Sequence, residues 1–273
     1  MGDDPILGLS SMKTFDRVAS LFYFLIPFLC VIGLWELLWF LGTISPSLAP
    51  PPHALVLKLY RMTTPEPILL NSLYGSFTRL IIGYALGVLI GISLGILMGI
   101  SKLLHGVFSP ILSLLISVPT LAWVPLLLVT LGPGEETVVI AIFLGSFFPI
   151  VYNTLNGIRG VSKDYVWASR IMGADKATVF FEVLLPGSLV SVITGLRLAI
   201  GYSWRALVGA EMLAAGISFG IGQMIYAARA FNDVEAMFAG LVIIAIGGLL
   251  LDRLIMDPVE RKTVEKWGMV KER

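Results

Sequence analysis

Residues 161–185 read VSKDYVWASRIMGADKATVFFEVLL, a polar stretch set between two strongly apolar ones. Charges of both signs alternate along it, from Lys163 and Asp164 through Arg170 to Asp175 and Lys176. Tyr165, Trp167, Ile171, Met172, Phe180 and Phe181 supply a second, apolar surface. A plain connector needs neither. The combination predicts a docking surface, and the rest of the chain decides where that surface lies and what it meets.

The chain is 57% hydrophobic and only 14% charged, with a mean hydropathy of +0.90. Soluble domains carry about 25% charged residues, so the solvent for most of this chain is lipid. Crossing ~30 Å of hydrocarbon takes about 20 apolar residues as a helix. Six runs meet that length: 21–41, 72–100, 109–131, 137–155, 186–207 and 236–256. They lack the alternation of membrane strands, and a helix satisfies its backbone groups within the segment. The expectation is an all-α membrane protein of six transmembrane helices.

Lys and Arg placement sets the orientation. With both termini cytoplasmic, Lys13, Arg17, Lys102, Arg159, Lys163, Arg170, Lys176, Arg261, Lys262, Lys266, Lys271 and Arg273 fall inside, against Lys58, Arg61 and Arg229 outside. The 161–185 stretch is then cytoplasmic, between the fourth and fifth spans. Residues 1–20 form a cytoplasmic N-terminal segment, 21–256 the transmembrane domain and 257–273 a cytoplasmic tail. The first run is too long for a cleaved signal's core and is expected to stay as an anchor. A formal net charge of +1 gives nucleic acid no purchase, and the single cysteine, Cys30, excludes an internal disulfide.

Within the second run, Gly83, Gly87, Gly91, Gly95 and Gly99 recur at every fourth position. Four residues advance about 400° on a helix, so these glycines form one ridge for close helix packing or for rocking of one helix on another. Asn71 or Ser72 is expected to cap that helix. The third run holds Pro110, Pro119 and Pro125 with Trp123 between the last two, which predicts a kinked span. Residues 214–229 are too apolar for an ordinary loop and too broken for a span, and predict a short outer helix or re-entrant element. Ionisable residues within spans are functional candidates because they are costly there: Glu36, Arg79, Arg197, Arg205 and Glu211. Arg205 and Glu211 are six residues apart and therefore face different ways. Each is expected to find partners on other helices, and Arg205 beside Trp204 suits an anion's path. No GxxxxGK[ST], no HExxH and no nucleophile, base and acid set occurs. His53 and His105 read as ordinary surface residues.

The polar stretch has a local logic of its own. Ser162 or the Lys163 and Asp164 pair can start a helix, Gly173 can end it at positive φ, and Asp175 can cap the next helix, which runs through Pro186 into the membrane. This helix-turn-helix resembles the EAA loop of the integral membrane subunits of ATP-binding-cassette importers. The family pattern is E-A-A, three residues, Gly, nine residues, then I-x-L-P. Here Trp167, Ala168 and Ser169 are followed after three residues by Gly173, and after nine more by Val183, Leu184, Leu185 and Pro186. The departures are Trp167 for the glutamate, Ser169 for the second alanine and Val183 for the isoleucine. Further segments, SVPTLAWVPL at 117–126, GLR at 195–197, WRALVGAEM at 204–212 and GGLLLD at 247–252, are similar to permeases of the nitrate, sulfonate, taurine and bicarbonate group.

The resemblance implies the type I ABC importer permease fold, MetI-like, with a core at about 72–256 and a coupling loop at 161–186. It implies a prokaryotic inner or plasma membrane, two copies of the permease, two cytoplasmic ATPases that bind ATP and Mg, and an extracytoplasmic substrate-binding protein. No cofactor and no chemistry are expected in this chain. Coupling to the ATPase is expected of Tyr165, Trp167, Ala168, Ser169, Arg170, Met172, Gly173, Ala174 and Pro186. The translocation path is expected to involve Arg79, Pro119, Trp123, Arg197, Trp204, Arg205 and Glu211. The expected cargo is a small anionic solute. The alternatives are a vitamin-pyrimidine precursor or aromatic acid carried by the same kind of permease, or an ion-coupled secondary transporter.

Overall fold

A computed structural model of the chain describes residues 26–45, 48–64, 67–214, 216–260 and 263. The expected segment 1–20 and the end of the tail lie outside them. The described residues are helical wherever they are regular. A short apolar helix α1 (Ile26–Phe40) and an amphipathic α2 (Pro52–Arg61) precede the long α3 (Ile68–Ile100). Then come α4 (Lys102–Ile116), a 3-10 turn (Thr120–Trp123) and α5 (Val124–Leu131). The remainder is α6 (Glu135–Gly160), α7 (Lys163–Ile171), α8 (Lys176–Leu213), α9 (Ile221–Ala230) and α10 (Val234–Glu260).

Helices α3, α6, α8 and α10 are each long and apolar enough to cross a membrane, and α4 with α5 makes a fifth crossing if the bent pair counts as one. α1 occupies the place of the first expected run, whose residues 21–25 lie outside the described part. Six apolar units thus stand where six were expected, with three differences. The third is not a kinked helix: α4 and α5 meet at 93°. Pro119 stands at the cap of the 3-10 turn and Pro125 in the first turn of α5, where a proline starts a helix rather than bending one. The second span begins at Ile68, a turn before the expected Asn71 or Ser72 cap, because the buried Leu69 docks there and its N–H bonds Met62 at 3.1 Å. The fifth, α8, runs unbroken from the polar stretch through Pro186 into the span, as the Asp175 cap led one to expect. A π-wound segment, Val179–Leu184, leads into Pro186, and the wider winding accommodates a residue with no N–H and a ring that would strike the carbonyl of an α-turn. The last span likewise continues to Glu260 through a π-turn at Leu251–Met256, past the boundary expected at 256.

The glycine ridge is a helix seam. A methyl group placed on Gly83, Gly87, Gly91, Gly95 or Gly99 would meet Ile142, Ser146, Ile150, Thr154 and Ile158 of α6, in that order, at 1.9–2.9 Å. Both rows step by four in the same direction, so α3 and α6 run parallel. Parallel neighbours require the intervening α4 and α5 to return the chain to its starting side, which makes the bent pair one net crossing. α8 packs antiparallel on the other flank of α6, with Gly157 against Ser188 and Ser191, and Gly145 against Ser203 and Ala206. α10 runs antiparallel to α8, with Gly247 against the Trp204 indole, which donates to the Ile244 carbonyl at 3.1 Å. Tyr84 Oη donates to the Leu196 carbonyl at 3.0 Å and ties α3 to α8.

Lipid tails are as apolar as leucine, so close backbone approach rather than hydrophobic burial holds such helices together. Gly95→Ala would push a methyl to 2.6 Å from Thr154 Cβ and 2.9 Å from the Val151 carbonyl, and should cost about 1–3 kcal/mol. Gly106→Ala, where nothing lies within 4 Å, should be neutral or stabilising by up to about 1 kcal/mol. Thermal unfolding of the detergent-solubilised protein separates the two; equal midpoints would remove the seam from the account of stability.

Candidate coupling surface and translocation groove

The polar stretch folds as its sequence foretells. Ser162 Oγ accepts the Asp164 N–H at 3.2 Å at the start of α7. At its end Gly173 takes φ +90°, and the N–H groups of Met172, Gly173 and Ala174 close on the carbonyls of Ala168, Arg170 and Ser169 at 3.0–3.1 Å. Asp175 then accepts the Thr178 N–H at 2.8 Å and begins α8. Hydrogen bonds from the Thr178 side chain and backbone hold the Asp175 carboxyl below the ordinary aspartate range. The cap is therefore charged at neutral pH and is lost only as pH falls through that depressed value.

α7 packs back on the π-wound segment of α8 and leaves its outer face bare. Ile171 and Met172 are 87% and 83% exposed, and Tyr165, Trp167, Ala168 and Arg170 are exposed beside them. Ser169, Ala174 and Pro186 are half-buried supports, with Ser169 Oγ donating to the Val166 carbonyl at 3.0 Å. None of this apolar surface is covered by the described residues, although α7 is too short to stand as a helix without packing.

The seven path candidates do not form one cluster. At the end of the bundle away from α7, Arg79 and Glu211 are buried in an ionic clasp. Arg79 forks onto Glu135 through Nε and through Nη2 at 2.6 Å, and its Nη1 donates to Glu211 at 2.7 Å. Glu211 also accepts from Ser76 Oγ at 2.8 and 2.9 Å and from the Gly222 N–H at 2.9 Å, while Ser76 Oγ accepts the Ile221 N–H at 2.9 Å. The carboxylate therefore sits on the N-terminus of α9, where a helix favours an anion. Gly220 is needed there, since an added methyl would lie 2.7 Å from the Glu211 carboxylate. Glu135, Ser76 and these backbone donors were not foreseen. The acidic first turn of α6 was visible in the sequence, but nothing local pointed it at Arg79.

Arg197 lies toward the α7 end of the span, held by Asp252 at 2.8 Å, Asp257 at 2.9 Å and Glu260 at 2.5 Å, all on α10. Trp204 is buried between α8 and α10. Pro119 and Trp123 frame the α4–α5 break, whose Leu121 rests on Gly209 of α8. Arg205 is exposed on a groove of about 540 Å3 between α8 and α10, its guanidinium 5.8 Å from the centre of the Tyr202 ring. Glu36 pairs with His53 Nδ1 at 2.7 Å, so that histidine is a partner rather than a bystander. No group of His, Cys, Asp and Glu among the described residues could hold a metal ion.

Parallel seam, broken third span and helical hairpin on one membrane face define a transport permease. The chain belongs to the family described as binding-protein-dependent transport system inner membrane component, which matches residues 87–262. It is 36% identical to a Bacillus subtilis chain named as an aliphatic sulfonates transport permease, SsuC, over 87% of this chain and 84% of that one. It is 34% identical to the Escherichia coli taurine transport system permease protein TauC, over 81% and 82%. A solved inward-facing structure of the MetNI methionine ABC transporter shares the fold, with a TM-score of 0.61 at 21% identity, covering 72% of this chain and 96% of that one. The MetI-like fold and the multi-pass membrane character expected from the sequence are therefore the protein's own. It is the permease subunit of an ABC importer.

Breaking the clasp leaves a buried charge uncompensated. Arg79→Gln, which strands the buried Glu211 carboxylate, should destabilise the protein by about 3–5 kcal/mol, and Glu211→Gln, which leaves Arg79 paired with Glu135, by about 1–3 kcal/mol. Glu135→Gln, at a carboxylate 58% exposed, should cost roughly 1 kcal/mol or less. Unfolding midpoints of the three purified variants check the order; a Glu135→Gln loss as large as the others would mean the clasp is centred elsewhere.

Proposed function

We propose that this permease works as a homodimer with two cytoplasmic ATPases and an extracytoplasmic binding protein, and imports a small anionic solute of the sulfonate, taurine, nitrate or bicarbonate type. One observation carries the coupling part. A short helix, capped at both ends and anchored on the longest span, offers an uncovered face of Trp167, Ile171 and Met172 on the side that the Lys and Arg distribution assigns to the cytoplasm. That is the geometry of a helix seated in a groove of another protein. Trp167 replaces the customary acid, so the seating rests on apolar insertion more than on charge, with Arg170 at the rim. Ala168 admits close approach, Gly173 makes the turn, and Pro186 marks where the docked hairpin joins the span.

Both termini are then cytoplasmic and the Arg79–Glu211 clasp lies at the outer face. ATP and Mg act in the partner, whose closure draws the α7 hairpins together and rocks the permease halves to open the path outward. The small-anion class follows from the names of the relatives and from the exposed cation in the fifth span.

Gly173→Val forces a β-branched residue to a positive φ, at a cost of about 1–2 kcal/mol in the turn. Permease and ATPase co-expressed with this variant should hydrolyse ATP without stimulation by loaded binding protein. Met172→Asp should weaken co-purification itself by about tenfold or more. Normal stimulated hydrolysis in both variants would overturn the coupling role of α7.

A further inference from the structure

The arginines of the long helices are unevenly supplied with counter-ions. Arg79 has Glu135 and Glu211, Arg197 has Asp252, Asp257 and Glu260, and Arg253 has Asp257. Arg205, in the same span as Arg197, has no carboxylate partner among the described residues; its neighbour is the Tyr202 ring. It lies about 12 Å along the axis from either Arg197 or the end of α8, between the two neutralised clusters. A cation at such a depth persists only where a partner or a water-filled path receives it.

Three further features surround it. The groove of about 540 Å3 is lined by Arg205 with Gly201, Tyr202, Trp204 and Gly248, and also by Arg197 with its partner Asp252, and a side chain added at Gly201 would enter open space. One turn along the same face, Gly209 receives Leu121, so the right-angled break of the third span abuts this level. Two residues on, the indole N–H of Trp123 is buried with no acceptor. Substrate sites in transporters form beside discontinuous helices, and guanidinium forks match oxyanions in shape and charge.

We propose that Arg205 is the binding point within the membrane for the oxyanion head of the solute, with the Tyr202 and Trp204 rings walling the groove beside it. The inference rests on the reading of the chain as an importer of small anions. It adds that selection is made here as well as in the binding protein, by an arginine of the fifth span that has no carboxylate partner among the described residues.

The test uses the complete transporter, permease with its ATPase and binding protein, in proteoliposomes supplied with radiolabelled taurine, methanesulfonate or nitrate. Arg205→Gln should lower uptake of the transported anion at limiting concentration by about tenfold to hundredfold, and Arg205→Lys should fall between. Unchanged uptake in Arg205→Gln would overturn the site and leave the importer reading standing. Uptake of none of these anions by the unmodified complex would overturn both. A second measurement leaves Arg205 in place: Gly201→Cys, with Cys30→Ser to remove the native thiol, is treated with an anionic sulfonate methanethiosulfonate reagent and its cationic trimethylammonium counterpart. The anionic reagent should react several-fold faster relative to a free thiol, and the transported anion should slow it; equal relative rates would overturn the site.

Discussion

Backbone contact between α3 and α6 governs the rest of this molecule. In water the two helices would be driven together by burial of apolar area, but lipid removes that drive. What remains is dispersion between closely opposed atoms, which falls steeply with a gap of a fraction of an ångström. Five glycines facing Ile142, Ser146, Ile150, Thr154 and Ile158 bring the axes close enough for that attraction to accumulate. α6 then carries α8 on its other flank, and α8 carries α10, the α7 hairpin and the exposed Arg205. Every functional feature hangs on a chain of helices that starts at this seam.

Charge is distributed in keeping with that frame. At the end away from α7, a buried guanidinium, two carboxylates, a hydroxyl and two backbone donors join α3, α6, α8 and α9 in one satisfied network. Toward the other end, Arg197 gathers three acids from α10. Partly satisfied networks are costly in a low dielectric, while complete ones fix a unique arrangement. Lys58 adds a tie at the clasp end of the bundle, from α2 to Asp233 at the start of α10, at 2.5 Å. Burial tends to raise the Asp233 carboxyl, but its bonds to Lys58 and the Ala236 N–H outweigh that and leave it below the ordinary range.

Much of this was legible in the sequence, and the reasons differ from element to element. Six apolar runs were visible because hydropathy reports the solvent directly. Their ends were not, since hydropathy marks the hydrocarbon while a helix continues as long as its hydrogen-bond ladder does; α10 runs on to Glu260, past the end expected at 256, for that reason. The Ser162, Gly173 and Asp175 signals were strong because capping is local chemistry. The 93° break between α4 and α5 was read as a kink, because its prolines are local signals whereas the contact of its Leu121 with Gly209 joins distant parts of the chain. The different facing of Arg205 and Glu211 followed from their spacing alone, but the partner on another helix expected for Arg205 is not there: among the described residues its neighbour is the Tyr202 ring of the same helix. Glu135 as the partner of Arg79 did not, being a contact between distant parts of the chain.

The parallel pairing of α3 and α6 also fixes the order in which the protein can be built. Neighbouring spans can pair as a hairpin as soon as both are inserted, whereas two parallel helices cannot meet until the segment between them has crossed back. The glycine seam must therefore wait, open to lipid, while α4 and α5 are threaded, and α6 is the piece that closes it. Until α6 is in place the ridge of α3 lacks its own partner and offers a small-residue face to any other helix in the membrane.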